Sequence, residues 1–502
     1  MFLILRLQKV LIANRGEIVI RIANTCKRLG FLPCGIYSNA DKNALHIKYC
    51  KEALNIGGNS SIENYLDMYK IIDAAKKMDC NLIHPGYGFL SEKYEFAELC
   101  IKEGLVFIGP SPDVLRISGD KVVAKEVALA FAPVAEGKEV SSVDEALKLA
   151  NKIGYPVILK ATKGGGGKGL RVINTPSDLM ESFIISKKES TTSFGSDRVY
   201  IEKYLQKPRH IEVQILGDKL HVIHLGEREC SIQRRHQKLI EETPSPALTE
   251  ETRGVLTKTA AAIMKQIQYD NAGTVEFLFK DGEFYFMEIN SRIQVEHPIT
   301  EAVTGVDIVE QQLNIATGRG LLLEQDKIKT KGHAIECRIN AENPFTFAPY
   351  PGLVKQFLPP NDNNIRIDSS LYSGYTISPF YDSLIAKVIS FGESRKESIE
   401  RMKNALLSFR ISGIPSTIPF HISALNDNRF LSGSYDTSFI NNLRYYSDKD
   451  CEIAAAIFVH LPKRIHYLQK KGKNDPWLES KYRSYCKTDG MFYCNNTMRW
   501  LK

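Results

Sequence analysis

Met287-Glu288-Ile289-Asn290-Ser291-Arg292-Ile293-Gln294-Val295-Glu296-His297-Pro298 places two acids, two amides and an arginine in one short segment. Glu288 and Asn290 stand two residues apart, on one face of a strand, and offer the oxygen ligands that hard divalent cations take. Arg292, Gln294 and Glu296 continue the same period of two. A donor fork beside a carboxylate suits a small anion that is to be held and deprotonated. A strand built only for packing has little reason to line one face this way.

Just upstream, Thr274–Phe279 and Phe284–Glu288 read as strands on either side of Asp281-Gly282, a hairpin signal. Register decides the chemistry, because a one-residue slip turns every side chain to the other face. A three-residue loop, Asp281–Glu283, sets Glu276 opposite Glu288; a two-residue loop would put them on opposite faces. Facing carboxylates repel unless a cation lies between them. The three-residue loop and a magnesium site are therefore expected. The bland alternative is a solvated hairpin, which the surrounding Phe, Tyr, Leu and Met disfavour.

The chain has 502 residues, too many for a single core. Lys and Arg number 66 against 58 Asp and Glu, a net charge of +8 that fits anionic substrates. No compact basic run supports a nucleic-acid footprint. Ten scattered cysteines without a Cys-x-x-Cys pair suggest a reduced, cytoplasmic protein. The apolar start is short and broken by Arg6 and Lys9, so neither a signal peptide nor a membrane span is expected.

Apolar strands at Val10–Ala13, Pro33–Tyr37, Leu82–His84 and Val106–Gly109 alternate with helices at Glu17–Leu29 and Tyr65–Lys77. This pattern predicts a doubly wound parallel sheet. A second unit has a helix at Ser142–Lys152 and strands at Tyr155–Lys160 and Val199–Tyr204. Between these strands lies Lys163-Gly164-Gly165-Gly166-Gly167-Lys168-Gly169. Glycines let backbone N–H groups approach phosphates, and the Gly-Lys-Ser/Thr ending of a P-loop is missing, so a phosphate lid outweighs a flexible linker. A third unit, richer in strands, holds the acidic hairpin. On local grounds Lys121 and His210 are more simply an exposed helix residue and a structural histidine. Arg234-Arg235-His236-Gln237-Lys238 is a dense cationic cluster, and Arg338 lies on an alternating strand, Ala334–Asn340. An arginine can stabilise an oxyanion without losing its proton, but a structural ion pair serves that position equally well.

Together these segments resemble the biotin carboxylase family of the ATP-grasp superfamily over about residues 9–445. The resemblance is carried by Ile12–Ile18, His84–Glu92, Gly119-Asp120-Lys121, the glycine loop, Glu202–Leu205, Gln233–Lys238, Arg292–Pro298, Glu336–Asn340 and Tyr381-Asp382-Ser383. It implies a three-domain ATP-grasp α/β fold. The divisions expected are an N-terminal domain over 1–120, an ATP-grasp region over 121–330 with a mobile lid at 136–203, and a C-terminal domain over 331–450. A basic, aromatic extension follows over 451–502. The implied reaction phosphorylates bicarbonate with ATP, and the resulting carboxyphosphate supplies carbon dioxide to N1 of biotin.

Carried over by position, Lys121, Lys160, His210, Gln233 and His236 would contact ATP, with Gly166 and Gly167 in the lid. Glu202, Lys203 and Leu205 would line the adenine pocket. Glu276, Glu288 and Asn290 would hold Mg2+ or Mn2+. Lys238, Arg292, Gln294 and the Val295 N–H would bind bicarbonate, Glu296 would be the base, and Arg338 would steady the biotin enolate. The sequence departs from the family at Lys163, Lys168, Ser291 and the shortened Phe131–Gly137 linker. It has neither a biotin attachment motif nor room for a carboxyltransferase domain. Two separate partners are therefore expected, a biotin carboxyl carrier protein and a carboxyltransferase subunit, with a homodimer inside a larger complex. Residues 451–502 would either wrap their own domain or dock such a partner. The expected acceptor is acetyl-CoA or propionyl-CoA, and the alternative is the biotin-carboxylating chain of a two-subunit pyruvate carboxylase. A carbamoyl-phosphate synthetase half would not need the Arg338 segment. A non-catalytic scaffold would have lost site residues that this chain keeps.

Overall fold

Lys9–Ile12 is apolar almost throughout, and such runs suit a parallel strand covered on both faces. A computed structural model describes residues 8–161, 170–194 and 199–443. The expectations for Gly166, Gly167 and the 451–502 extension lie outside the described residues. Five parallel strands, β1 (Lys9–Ile12), β2 (Leu32–Tyr37), β3 (Glu52–Asn55), β4 (Leu82–His84) and β5 (Val106–Phe107), form a sheet in the order β3-β2-β1-β4-β5. Alternate residues feed opposite faces. Val10, Ile12 and Leu82 pack with the Glu17–Arg28 helix, while Leu11, Cys34 and Ile83 pack with the Met68–Lys77 and Tyr94–Lys102 helices. This is the doubly wound arrangement. The second helix starts at Met68 rather than Tyr65 because the Asp67 carboxylate accepts the Tyr69 and Lys70 N–H groups.

The sheet order reverses at β1, where the chain leaves β1 and β4 side by side. There Asn14 Nδ2 donates to the Pro85 and Tyr87 carbonyls at 2.7 and 2.8 Å. Gly86 sits at φ +66° with Asn14 Nδ2 only 2.9 Å from where a Cβ would lie, so a side chain there would break this clasp.

Residues 137–203 build their own antiparallel sheet. Its strands are β6 (Gly137–Val140), β7 (Val157–Ala161), β8 (Arg171–Ile173) and β9 (Val199–Lys203), in the order β6-β9-β7-β8. They enclose a separate core around Val157, Leu159, Phe183 and Ile201. An eight-stranded antiparallel sheet comes next. It runs β14 (Glu283–Asn290), β13 (Asp270–Lys280), β10 (Arg209–Asp218), β11 (Val222–Arg234), β12 (Gln237–Thr243) and β15 (His333–Asn340), then Leu384–Gly392 and Ile365–Ser369. Pairing of β12 with β15 carries one sheet across the 330/331 division. Among the described residues no helix is long and apolar enough to cross a membrane.

Glu242, on β12, ties this sheet to the helix that opens at Arg395 and to the chain around Tyr435. Its carboxylate lies 2.7 Å from His333 Nε2, accepts from Arg395 Nε and Nη2 at 2.7 and 2.9 Å, and takes the Tyr435 hydroxyl. Burial pushes the carboxyl up, but His333 and Arg395 overcome it and hold it at about 2, against an ordinary 4.5. A carboxyl depressed by folding adds stability that is present above its ordinary value and lost as pH falls through the folded one. Glu242→Gln should therefore cost about 3–5 kcal/mol at neutral pH. In thermal melts its deficit against the parent should close as pH is lowered toward 2.

Candidate functional site

The hairpin reaches the expected pairing by an unexpected route. Lys280 pairs with Glu283, so the loop is the two residues Asp281-Gly282, at φ 52° and 86°. Two positive φ values are the turn that matches strand twist, which is why Asp-Gly stands there. With this loop alone, Glu288 and Asn290 would follow Phe284 and Phe286 onto the core face. A bulge intervenes: the pairing shifts between Glu276 and Phe277, and Met287 is the extra residue. Beyond it, Glu276 faces Glu288 and Thr274 faces Asn290, while Ile289 joins Phe286 in the core. The three-residue loop is thus corrected to a two-residue loop plus a bulge, because the turn chemistry favoured two residues and the bulge supplied the missing one.

At the centre of the sheet Lys238 Nζ donates to Glu276 Oε1 at 2.8 Å, to Glu296 Oε1 at 2.7 Å and to Glu212. Glu212 and Glu276 face each other across β10 and β13, and Glu296 comes from the turn before the His297–Thr304 helix. Burial would lower the Lys238 pKa, but these three carboxylates raise it well above its ordinary value. Burial would raise that of Glu296, but Lys238 and Arg338 hold it well below. Arg338 Nε donates to Glu241 at 2.6 Å, and its Nη2 donates to Glu296 Oε2 at 2.8 Å. Arg292 reaches Glu92, Gln294 Oε1 and Asn290 Oδ1 at 3.0, 2.9 and 3.1 Å. Gln294 Nε2 in turn donates to Glu276 at 3.3 Å. Val295 is half-buried, its carbonyl accepts from Lys387 at 2.8 Å, and its N–H has no partner among the described residues.

Glu276, Glu288 and Asn290 form an oxygen donor set that fits a hard cation. As placed, Asn290 turns its Nδ2 toward Glu276 at 2.9 Å, and the amide would have to rotate to offer its oxygen. Glu288 is faced by Lys121 at 3.9 Å. A second buried group, His210, Glu212 and Glu276, has ligating atoms within 4.8 Å of one another, but Lys238 and Arg228 already hold its acids.

The remaining cations gather beside this centre. Burial, then the charges of Lys160 and His210, lower the His236 pKa. Burial lowers that of Lys121, which senses Glu288, Lys160, Glu202 and Glu276. His210 Nε2 lies 2.9 Å from Glu276, and its Nδ1 lies 3.5 Å from Gln233. Glu202 is gripped by Lys160 and Lys125. Lys203 is spent on its own sheet, donating to the Gly154 and Tyr155 carbonyls, and Leu205 follows it half-buried. Of the cationic run, Arg234 is structural: it stacks 4.5 Å from Phe347 and donates to the Thr346 carbonyl at 3.0 Å.

Sequence reasoning gave no role to Glu212, Lys125, Glu241 or Arg228. Lys125 stands one helical turn after Lys121, and Glu212 two residues after His210, so both shared a face with an assigned residue. Arg228 had no such signal. It is fully buried and donates to Glu212, Gln214, Thr300 and Thr274 at 2.5, 2.7, 3.0 and 3.2 Å. Arg228→Met leaves Glu212 a buried charge with one partner fewer and should cost about 3–5 kcal/mol of unfolding free energy. Adding Glu212→Gln should recover part of that loss in denaturant titrations, since removing both partners is milder than removing one.

Three family descriptions match the chain in order: "Biotin carboxylase, N-terminal domain" over 6–115, "Carbamoyl-phosphate synthase L chain, ATP binding domain" over 120–324 and "Biotin carboxylase C-terminal domain" over 336–442. Biotin carboxylase 1 of Bacillus subtilis is 50% identical over 441 residues, 86% of this chain and 98% of its own. A pyruvate carboxylase subunit of Methanothermobacter thermautotrophicus is 48% identical over 441 residues, 87% of this chain and 90% of its own. Among solved structures, the biotin carboxylase domain dimer of the Hydrogenobacter thermophilus 2-oxoglutarate carboxylase, in complex with MgADP, ADP and bicarbonate, superimposes with a TM-score of 0.85. It is 43% identical, over 88% of this chain and 99% of that one.

Proposed function

This chain belongs to the biotin carboxylase family of ATP-grasp ligases, and on that premise we propose that it carboxylates biotin on a separate carrier protein as the first half-reaction of an acetyl-CoA or propionyl-CoA carboxylase. The observation that carries the reading is the Lys238 ammonium shared by Glu212, Glu276 and Glu296, with Arg338 and Arg292 on the flanks. Such a set can admit an anion by exchanging partners.

Bicarbonate would take donors from Lys238, Arg292, Gln294 and the Val295 N–H. That exchange removes the ammonium from Glu296, whose basicity then rises from its depressed value. Glu296 takes the bicarbonate proton as the bicarbonate oxygen attacks the γ-phosphorus of ATP and ADP leaves. The carboxyphosphate so formed breaks into carbon dioxide and phosphate; the phosphate takes the proton from N1 of biotin, and N1 then bonds to the carbon of carbon dioxide. Arg338 balances the negative charge on the biotin ureido oxygen, and keeps its own proton because a guanidinium is not a practical acid. Lys121, Lys160, His210 and His236 would receive the ATP phosphates, Gln233 would contact the nucleotide, and Glu202, Lys203 and Leu205 would line the adenine pocket. Gly166 and Gly167 would belong to the lid. Glu276, Glu288 and Asn290 would hold Mg2+ or Mn2+, which when bound draws charge from the transferring phosphoryl group.

The partners in this reading are a biotin carboxyl carrier protein and a carboxyltransferase chain, around a homodimer of this one. The dimer of the Hydrogenobacter domain supports the last point. A second reading, the biotin-carboxylating chain of a two-subunit pyruvate carboxylase, is supported by the Methanothermobacter relative. Assays with the partner chains and acetyl-CoA, propionyl-CoA or pyruvate separate the two.

The basic test is ATP cleavage that requires bicarbonate and is stimulated by free biotin. Glu296→Ala should lower it about a hundred- to ten-thousandfold while nucleotide binding persists. Equal loss of both would mark Glu296 as structural. Glu288→Gln should stay folded and lose ATP cleavage with Mg2+ and Mn2+ alike; full activity would remove Glu288 from the metal set.

A further inference from the structure

Behind Arg338, Glu241 and Glu336 stand directly opposite each other where β12 pairs with β15. Both are fully buried. Glu241 Oε1 accepts from Arg338 Nε, but Glu241 Oε2 and both oxygens of Glu336 lack a hydrogen-bond partner. A buried acceptor left unmet loses its hydration with nothing in return. Two facing carboxylates in the same buried spot also repel. One proton on Glu336 answers both problems: it removes one of the two charges and supplies a donor to Glu241 Oε2.

We propose that Glu241 and Glu336 are positioning residues for Arg338, holding one proton between them on Glu336, so that Glu241 carries a single charge that clamps one edge of the guanidinium. Glu296 holds the other edge, and among the described residues Nη1 is left without a partner, available to the biotin ring. The role toward biotin rests on the function proposed above; the shared proton does not.

Every charged group around the pair fits this arrangement. Arg338 and Lys238 face Glu241 from their own sheet, Lys387 faces Glu336 from the neighbouring strand, and Glu296 adds a third negative charge to both. The thiols of Cys230 and Cys337 lie close by. Burial pushes both carboxyls up, Glu241 to about 7 and Glu336 well above its ordinary value, despite Arg338 and Lys387. As pH rises past the point where Glu336 loses its proton, two charges face each other and the clamp on Arg338 is disturbed. Biotin carboxylation should then fall on the alkaline side.

The test uses the full chain. Glu241→Gln should lower kcat for biotin carboxylation about ten- to a hundredfold, the worth of a hydrogen bond to a charged group, while KM for ATP holds. Glu336→Gln keeps a neutral donor opposite Glu241 and should move the alkaline limb of kcat to higher pH. Infrared difference spectra between neutral and alkaline pH should show the wild type losing a protonated-carboxyl stretch that Glu336→Gln lacks. A band that survives in Glu336→Gln, or an alkaline limb that this variant leaves in place, would overturn the shared proton. Unchanged biotin turnover in Glu241→Gln, or an equal fall in its ATP binding, would overturn the positioning role. If the wild type shows no biotin-stimulated ATP cleavage, the function reading fails, and the infrared band still decides the proton.

Discussion

One ammonium among three buried carboxylates is the constraint on which the site depends. Glu212, Glu276 and Glu296 come from β10, β13 and the turn that opens a helix, and Lys238 comes from β12. Without a cation at their centre these acids could not all be ionised in a buried place. The register of four chain segments is therefore locked to one side chain. Arg228 serves the same end from behind, holding Glu212 while spanning Gln214, Thr274 and Thr300.

The same economy operates toward the smaller sheet. Glu202 is the common partner of Lys160, on β7, and Lys125, on the helix before that sheet. Lys125 also lies 4.3 Å from the Tyr200 ring. A ligand that draws Lys160 away leaves Glu202 with Lys125, so the carboxylate is not abandoned in a buried position. A cation can thus move between partners without leaving a bare charge behind it.

Much of this was legible in the chain, and the exceptions share a cause. Apolar runs interrupted by helical spacing gave the doubly wound sheet, because parallel strands are buried on both faces and say so in composition. Asn290, Arg292 and Gln294 do come together, but the strand ends at Asn290, and the loop and turn that follow, rather than strand alternation, bring Arg292 and Gln294 back to it. Arg228 and the Glu241–Glu336 pair could not be read, since their partners are set by which strands become neighbours, and nothing local encodes that. The hairpin is the instructive case. Charge predicts that Glu276 faces Glu288, and that facing taken alone predicts a three-residue loop. Phe284 and Phe286 share the parity of Glu288 and Asn290 in sequence, yet belong to the opposite face. That break in phase was the visible trace of the bulge.

The bulge at Met287 has a consequence for how this segment can change over time. The turn sets an even count and the bulge an odd one, so facing of the acids is a matter of parity rather than of length. A single insertion or deletion anywhere between Glu276 and Glu288 would send the two acids to opposite faces, while a paired change, or one that erased the bulge as it lengthened the turn, would leave them together. Drift in the hairpin is thereby restricted to steps of two, and relatives that differ in this loop should do so by even numbers or by trading bulge for turn.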